Sequence, residues 1–216
     1  MPDTSRTERS ASRLSAAEEE VYPPARDLRV GAQPVVDVVP PRELKAVDGS
    51  AVQLPDRRQL VHLQFRRFAG CPICDLHLHS FVRRQGELEA AGLREIAVFH
   101  STPQELRRNE ADWLPFPVIA DPKRQLYREF GVEAAPRALL DPRVWPSIVR
   151  AIGATLWAMS TAKRRVALPD TRSTRLGLPA DFLIASDGRV LASKYGVHAD
   201  DHWSVDELLA LARANR

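Results

Sequence analysis

The 216-residue sequence predicts an α/β fold, a central mixed β-sheet flanked by helices, on three observations. Short runs rich in Val, Ile, Leu and Phe alternate with amphipathic stretches opened by Thr-Pro, Asp-Pro or Ser-x-x-Glu signals, the βαβ order that places parallel strands in one sheet. Near the C-terminus, Asp187-Gly188 stands between two apolar runs, the strongest hairpin signal in the chain. With 44% hydrophobic and 27% charged residues, the composition is that of an ordinary globular chain with one substantial core.

Residues 1 to about 20 are rich in Ser, Thr, Arg and Glu and bury little, so a mobile N-terminal segment is expected over 1–25, with one domain over 26–216. Five prolines between Tyr22 and Pro41 predict an extended segment, with Val35 to Val39 as a short edge strand. Asp48-Gly49 predicts a tight turn in a hairpin leading to Val52 and Leu54. Leu60 to Phe65 reads as a largely buried strand, and Asp75 to Ala91 as a helix ending at Gly92. Glu95 to His100 is a second core strand, after which Thr102-Pro103-Gln104-Glu105 supplies a cap, a first-turn proline and a reciprocal glutamate. Pro117 to Ala120 is a third strand, and Asp121-Pro122 opens a helix to about Phe130 before Gly131. A helical insert is expected at about 136–175, its main helix opened by Asp141-Pro142, with Trp145 and Trp157 as packing anchors. Asp181 to Ser186 and Arg189 to Ser193 form the final hairpin, and the capping box Ser204-Val205-Asp206-Glu207 opens the last helix. No internal repeat and no phosphate-binding glycine loop is visible.

Charge excludes little but points away from nucleic acid: 31 Lys and Arg are interleaved with 28 Asp and Glu, a net +3 with no long basic block. The longest apolar-leaning stretch, Val144 to Met159, contains Pro146 and Arg150 and falls short of the ~20 apolar residues that cross a bilayer. No membrane association is therefore expected, and this stretch serves packing, a hydrophobic substrate pocket or a homodimer contact. Met1 to Arg6 lacks the apolar core of a secretory signal, and two cysteines do not make a disulfide scaffold, so a cytoplasmic location is expected.

The chemistry concentrates in Cys71-Pro72-Ile73-Cys74, between a strand-like run and a helix-like one. A CxxC at such a junction near a βαβ pattern reads as a thioredoxin-like redox motif. The two sulfurs meet across one helical turn, so one thiolate can attack and the other resolve a mixed disulfide, without a cofactor. Pro72 removes an N–H that the first turn does not need. A Cys at a helix start faces backbone N–H donors and the positive end of the dipole, which favour thiolate. Arg66 and Arg67 lie close by in sequence. Electrostatics therefore favour Cys71 as nucleophile and Cys74 as resolving partner.

At this point the sequence resembles a known family. Phe65-Arg66-Arg67-Phe68-Ala69-Gly70-Cys71-Pro72-Ile73-Cys74-Asp75-Leu76, followed by Ile96 to Ser101, is similar to the peroxiredoxin-like branch of the thioredoxin superfamily, grouped with the alkyl hydroperoxide reductase and thiol-specific antioxidant proteins. The resemblance covers roughly 35–132 and 176–213, interrupted by the insert. It implies a thioredoxin-like fold and a thiol-dependent oxidoreductase of antioxidant type. The implied substrate is a disulfide or hydroperoxide, and the implied reductant a thioredoxin-like protein or low-molecular-weight thiol. Gly177 to Ile184 resembles the segment in which a cis-proline, here Pro179, opens the strand beside the active site. Cys71 and Cys74 would be catalytic, with Pro72, Pro179, Arg67 and Phe68 in support.

The chain also departs from that family. Peroxiredoxins proper place Thr or Ser three residues before the attacking Cys and an Arg at the later strand; here Phe68 precedes Cys71 by three, Cys71 precedes Cys74 by three, and Pro179 stands near the arginine's place, with Arg137 and Arg175 as distant substitutes. In thioredoxins the first Cys attacks, whereas in peroxiredoxins the attacking Cys aligns with the second, so the resemblance leaves both orders open. These departures shift the site toward thioredoxin-type exchange and keep two other classes in view: a binding or scaffold module without turnover, and a biosynthetic reductase of the prostaglandin-endoperoxide kind.

Bland readings compete at each remaining residue. The cysteines are alternatively buried small hydrophobes. As a zinc site, C-x2-C-x2-H-x-H puts Cys71, Cys74 and His77 within one third of a helix circumference at ~100° per residue, with His79 elsewhere; a closed tetrahedral site needs a fourth ligand. No metal is assigned. Otherwise His77 and His79 read as a helix-surface pair, His62 and His100 as satisfied core histidines, and His198 and His202 as solvated loop residues.

Overall fold

The computed structural model describes residues 36–132, 149 and 177–215. The expected N-terminal segment over 1–25, Val35, and the expected insert at about 136–175, with Arg137, Trp145, Trp157 and Arg175, lie outside the described residues. The chain runs β1 (Arg42–Lys45), β2 (Ala51–Leu54), β3 (Leu60–Arg66), α1 (Pro72–Arg83), α2 (Gln85–Ala90), β4 (Leu93–Phe99), α3 (Pro103–Asn109), β5 (Val118–Ala120), α4 (Gln125–Glu129), β6 (Ala180–Ile184), β7 (Val190–Tyr195) and α5 (Val205–Ala214).

β1 and β2 form a separate antiparallel hairpin, and the other strands form one mixed sheet in the order β5-β4-β3-β6-β7. β3, β4 and β5 run parallel; β6 is antiparallel to β3 and β7 to β6. The central strand β3 is buried along nearly its whole length because both faces are covered. Its odd residues, Val61, Leu63 and Phe65, join Ile96, Val98, Tyr127, Phe130, Phe182 and Ile184 in an apolar core. Phe65 sits at its middle, edge-on to Tyr127 at 4.9 Å and Phe182 at 5.6 Å and tilted against Phe130 at 5.2 Å. The even residues point the opposite way by the two-residue period of a strand. There a second core of Leu78 and Phe81 from α1, Leu208 and Leu211 from α5, Trp203 and Leu183 covers the sheet, yet β3 contributes His62, Gln64 and Arg66 to this side.

Local signals placed most elements. Thr102 and Ser204 form complete capping boxes with Glu105 and Glu207 at the starts of α3 and α5, each joining two otherwise orphan backbone groups to side chains. Other boundaries differ from expectation. The helix predicted from Asp75 starts at Pro72 and breaks at Arg84 into α1 and α2. The Asp121-Pro122 signal opens a turn instead of a helix: Arg124 adopts φ 54°, and Asp121 reaches forward to accept from the N–H groups of Gln125 (2.8 Å) and Tyr127 (3.2 Å), so α4 begins only at Gln125. Within the predicted edge strand, the isolated bridge is Val38 to Arg189. Among the described residues the cis X–Pro bond is Leu54–Pro55 and not Leu178–Pro179, which corrects the expectation for Pro179.

The β6–β7 turn depends on Gly188. It adopts φ +91°, and an added Cβ would lie 2.4 Å from the Val39 carbonyl oxygen. Val39 itself donates to the Gly188 carbonyl at 2.8 Å, tying the strand entering β1 to this hairpin. Gly188→Ala is therefore expected to lower unfolding free energy by about 2 kcal/mol, through a left-handed backbone and a steric clash together, as read by urea denaturation.

Candidate active site

The site begins where β3 ends. Its last residues lead into a short loop in which the Ala69 N–H donates to Ser101 Oγ (2.9 Å) and the Gly70 N–H to Glu110 Oε1 (2.7 Å), with Gly70 at φ +73°. These ties deliver Cys71 to the N-cap of α1 in an extended conformation, with Pro72 in the first turn and the Asp75 N–H donating to the Cys71 carbonyl at 2.9 Å. Both cysteines are free thiols. Cys71 is 1% exposed and Cys74 fully buried, in a small apolar cluster with Phe68, Ile73 and Ala199.

The two sulfurs differ sharply in electrostatics. Burial pushes the Cys71 thiol up, but it is outweighed by the hydrogen bond from the Cys74 thiol, the Arg67 charge and the N–H groups of Cys74 and Ile73, which together hold Cys71 at about 7. Those N–H groups act as oriented dipoles and close no cap hydrogen bond to the sulfur. Arg67 Nη1 stands 3.6 Å from Cys71 Sγ. The same guanidinium packs over the Phe68 ring at 5.3 Å and donates from Nε to the Gly177 carbonyl at 3.1 Å. Cys74 is pushed the other way, well above the ordinary thiol value, by burial, by its hydrogen bond to Cys71 and by the charge there. The arrangement is an asymmetric dithiol: one sulfur ready to ionise near neutrality and its neighbour held as the thiol that donates to it.

Pro179 opens β6, and its carbonyl accepts from the Gly196 N–H at 2.9 Å. His100 is buried, as expected for a core histidine, but its Nε2 has no hydrogen-bond partner among the described residues. It lies against Gly177, where an added Cβ would sit 3.1 Å from Nε2. Burial and the charges of Arg124 and Arg67 hold His100 down at about 4, so it is neutral at physiological pH.

Behind α1, the even face of β3 builds a buried polar network. His62 Nδ1 is 2.6 Å from Glu95 Oε2 and Nε2 is 3.2 Å from Asp181 Oδ1. Gln64 donates to the same Glu95 oxygen. Arg66 donates from Nε (3.0 Å) and Nη2 (2.6 Å) to Gln64 Oε1, and from Nη2 to Asp181 Oδ1 (2.9 Å). Its Nη1 lies 2.7 Å from His202 Nδ1 and its Nη2 3.1 Å from His77 Nε2. The second Asp181 oxygen accepts from the Trp203 N–H at 3.1 Å.

These contacts correct three histidine expectations. His77 stacks on His202 at 4.1 Å and meets Arg66, so its half-buried ring joins the network instead of standing on the helix surface with His79. His202 is 7% exposed rather than solvated. His79 stacks on Trp113 at 4.3 Å, apart from His77. Among the described residues no group of three or more His, Cys, Asp or Glu is arranged to hold a metal ion, and no helix is long and apolar enough to cross a membrane.

A strand-to-helix CxxC on a β5-β4-β3-β6-β7 sheet defines the chain as a thioredoxin-fold protein. The family model for AhpC/TSA antioxidant enzymes matches residues 80–198, more than half of the chain, and the protein belongs to that family. The matched span begins beyond the dithiol, so the cysteines rest on their own geometry. Among solved structures, it resembles peroxidoxin BcpB from Mycobacterium tuberculosis (18% identity, TM-score 0.57, 86% of this chain and 99% of that one). A cysteine-to-serine mutant of peroxiredoxin 6 of Arenicola marina is 16% identical with TM-score 0.59 (86% and 74%). A cysteine-to-serine mutant of peroxiredoxin Q from Xanthomonas campestris is 17% identical with TM-score 0.56 (84% and 100%). At these identities the likeness speaks to the fold. No curated protein matches the chain.

The network has a pH signature. Burial pushes His62 down, but the carboxylates on its two ring nitrogens outweigh burial and raise it to about 9. A raised value stabilises the fold fully below the unfolded pKa of 6.5 and loses that contribution as pH rises through about 9. Cys71, lowered to about 7, acts oppositely: its contribution is full above the ordinary 9.0 and is lost as pH falls through about 7. On a Cys71→Ser background, unfolding free energy from urea titrations is therefore expected to fall between pH 6.5 and 9, by at most ~1.4 kcal/mol per pH unit, and His62→Gln should flatten that slope.

Proposed function

We propose that this protein is a dithiol peroxidase in which Cys71 attacks a small hydroperoxide and Cys74 resolves the product. The observation that carries the proposal is the Arg67 guanidinium 3.6 Å from a Cys71 sulfur held at about 7, with Cys74 as the donating thiol beside it. Membership of the antioxidant family supports the reaction class. A cysteine only 1% exposed also favours a small substrate over a bulky one.

The Cys71 thiolate attacks one peroxide oxygen; the O–O bond breaks, and the departing alkoxide takes a proton and leaves as the alcohol. Cys71 is thereby oxidised to the sulfenic acid. The Cys74 thiol attacks that sulfur, the Cys71–Cys74 disulfide forms, and hydroxide leaves as water after taking the Cys74 proton. A thioredoxin-type dithiol or a low-molecular-weight thiol then reduces the disulfide and is itself oxidised. Arg67 stabilises the attacking thiolate and the charge developing on the peroxide, a role open to it because it reaches the sulfur from the β3–α1 loop. Such a cycle needs a reducing compartment, in keeping with the cytoplasmic location expected from the sequence.

Direct reduction of disulfides is the second reading, and Phe68 favours it: this ring occupies the position three before Cys71, where a hydroxyl would hold peroxide. Stopped-flow mixing of reduced protein with hydrogen peroxide, an organic hydroperoxide and a model disulfide separates the two. The expected result is hydroperoxide reduction faster than that of free thiol, abolished in Cys71→Ser and slowed roughly fivefold at pH 7 in Arg67→Met, the loss of thiolate that a one-unit rise from about 7 brings. Rates no faster than free thiol with all three substrates would remove the enzymatic reading.

A further inference from the structure

Arg66 and Arg67 leave the end of β3 toward opposite sides. Arg67 reaches Cys71 with its guanidinium, and its charge and backbone N–H both favour the Cys74 thiolate. Arg66 enters the buried network and is fully enclosed. Its partners come from four places: Gln64 on β3 itself, Asp181 on β6, His77 on α1 and His202 in the loop before α5. His77 stands one helical turn beyond Cys74 and so lies on the same side of α1.

We propose that Arg66 is a positioning residue for the dithiol, joining the end of β3 to the second turn of α1 so that Arg67 stays against both sulfurs. The inference rests on Cys71 being the nucleophile. Three observations support it. A buried ion cluster is not the most stable filling for such a place, because well-packed apolar side chains of similar volume are commonly as stable or more so; stability alone does not explain this one. Its charges balance, with Arg66 and His62 facing Asp181 and Glu95. Both imidazoles beside Arg66 present acceptor nitrogens to it, and burial together with neighbouring positive charge holds each well below its ordinary value, which keeps them neutral. Beyond these, Lys194 on β7 and Asp200 and His198 in the loop are the charged and titratable groups near His202.

The geometry has a directional consequence. Removing His77 cuts the contact from Arg66 to α1, although Gln64 and Asp181 still hold Nη2, and removing His202 frees the Nη1 arm and takes away the ring on which His77 stacks; either change loosens the join between β3 and α1. The guanidinium and N–H of Arg67 then drift from the sulfurs, and the Cys71 thiolate loses support. Restoring an acceptor with glutamine restores the join, since the amide oxygen accepts as the imidazole does.

The test is the pH dependence of Cys71 alkylation by iodoacetamide, followed by mass spectrometry on the reduced full-length protein, with thermal melting recorded alongside. Wild type should show a midpoint near 7. His202→Leu and His77→Leu should raise it by about one unit, slowing alkylation about tenfold below the midpoint, and His202→Gln and His77→Gln should recover most of that. His77 is half-buried on α1, so His77→Leu decides the matter if His202→Leu does not fold. Folded leucine variants with an unchanged midpoint, or a shift that glutamine does not reverse, would overturn the proposal. A wild-type midpoint at the ordinary thiol value would instead remove the reading of Cys71 as nucleophile, a distinguishable result.

Discussion

The alternation of side chains along β3, and the way it ends, governs this molecule. Val61, Leu63 and Phe65 face one apolar core while His62, Gln64 and Arg66 face the other side of the same sheet. A two-residue period allows this without bending the strand. The strand lies at the centre of the sheet between β4 and β6, so water reaches neither face. Each polar group placed there must find a partner or impose a large desolvation cost. β4 and β6 answer with Glu95 and Asp181, α1 with His77 and the loop before α5 with His202. The network thus ties together the same elements that the apolar contacts assemble. Burial raises the Asp181 carboxyl, but Arg66 and His62 outweigh it and hold that carboxyl well below its usual range.

The dithiol shows the same competition on a smaller scale. Burial alone would push both thiols up. Only Cys71 receives enough compensation, because only it occupies the N-cap of α1, touches the Arg67 guanidinium and accepts the Cys74 hydrogen bond. Cys74 meets the residual burial and the neighbouring charge, and both raise it. The asymmetry is the physical ground for proposing Cys71 as the attacking sulfur, where family resemblance leaves two orders open. The cation beside Cys71 comes from the loop before the helix, anchored on the Gly177 carbonyl.

Most of the fold was legible because it depends on local signals. The β3–β4 pair, the 187–188 hairpin, both capping boxes and the junction position of the CxxC all follow from short patterns, and the structure carries each of them. Where the sequence misled, long-range partners decided. Asp121-Pro122 resembles a helix start, yet the carboxylate reaches past a left-handed Arg124 to cap a later turn. His77 and His202 lie far apart in the chain and acquire meaning only by stacking. One signal was available: His62-x-Gln64-x-Arg66 alternates strictly inside an otherwise apolar strand, and a polar period of two in a central strand points to buried partners across the sheet. The Glu110 and Ser101 ties to the loop before Cys71 had no comparable local signature.

The central claim is that Cys71 is the sulfur that attacks. The most direct measurement is peptide mapping by mass spectrometry after rapid reaction of reduced Cys74→Ser protein with one equivalent of hydroperoxide, in the presence of a reagent that captures sulfenic acid. The account predicts the captured adduct on Cys71, and no comparable adduct on Cys74 in the Cys71→Ser protein. Capture on Cys74 in Cys71→Ser, with Cys71 left unmodified in Cys74→Ser, would contradict it.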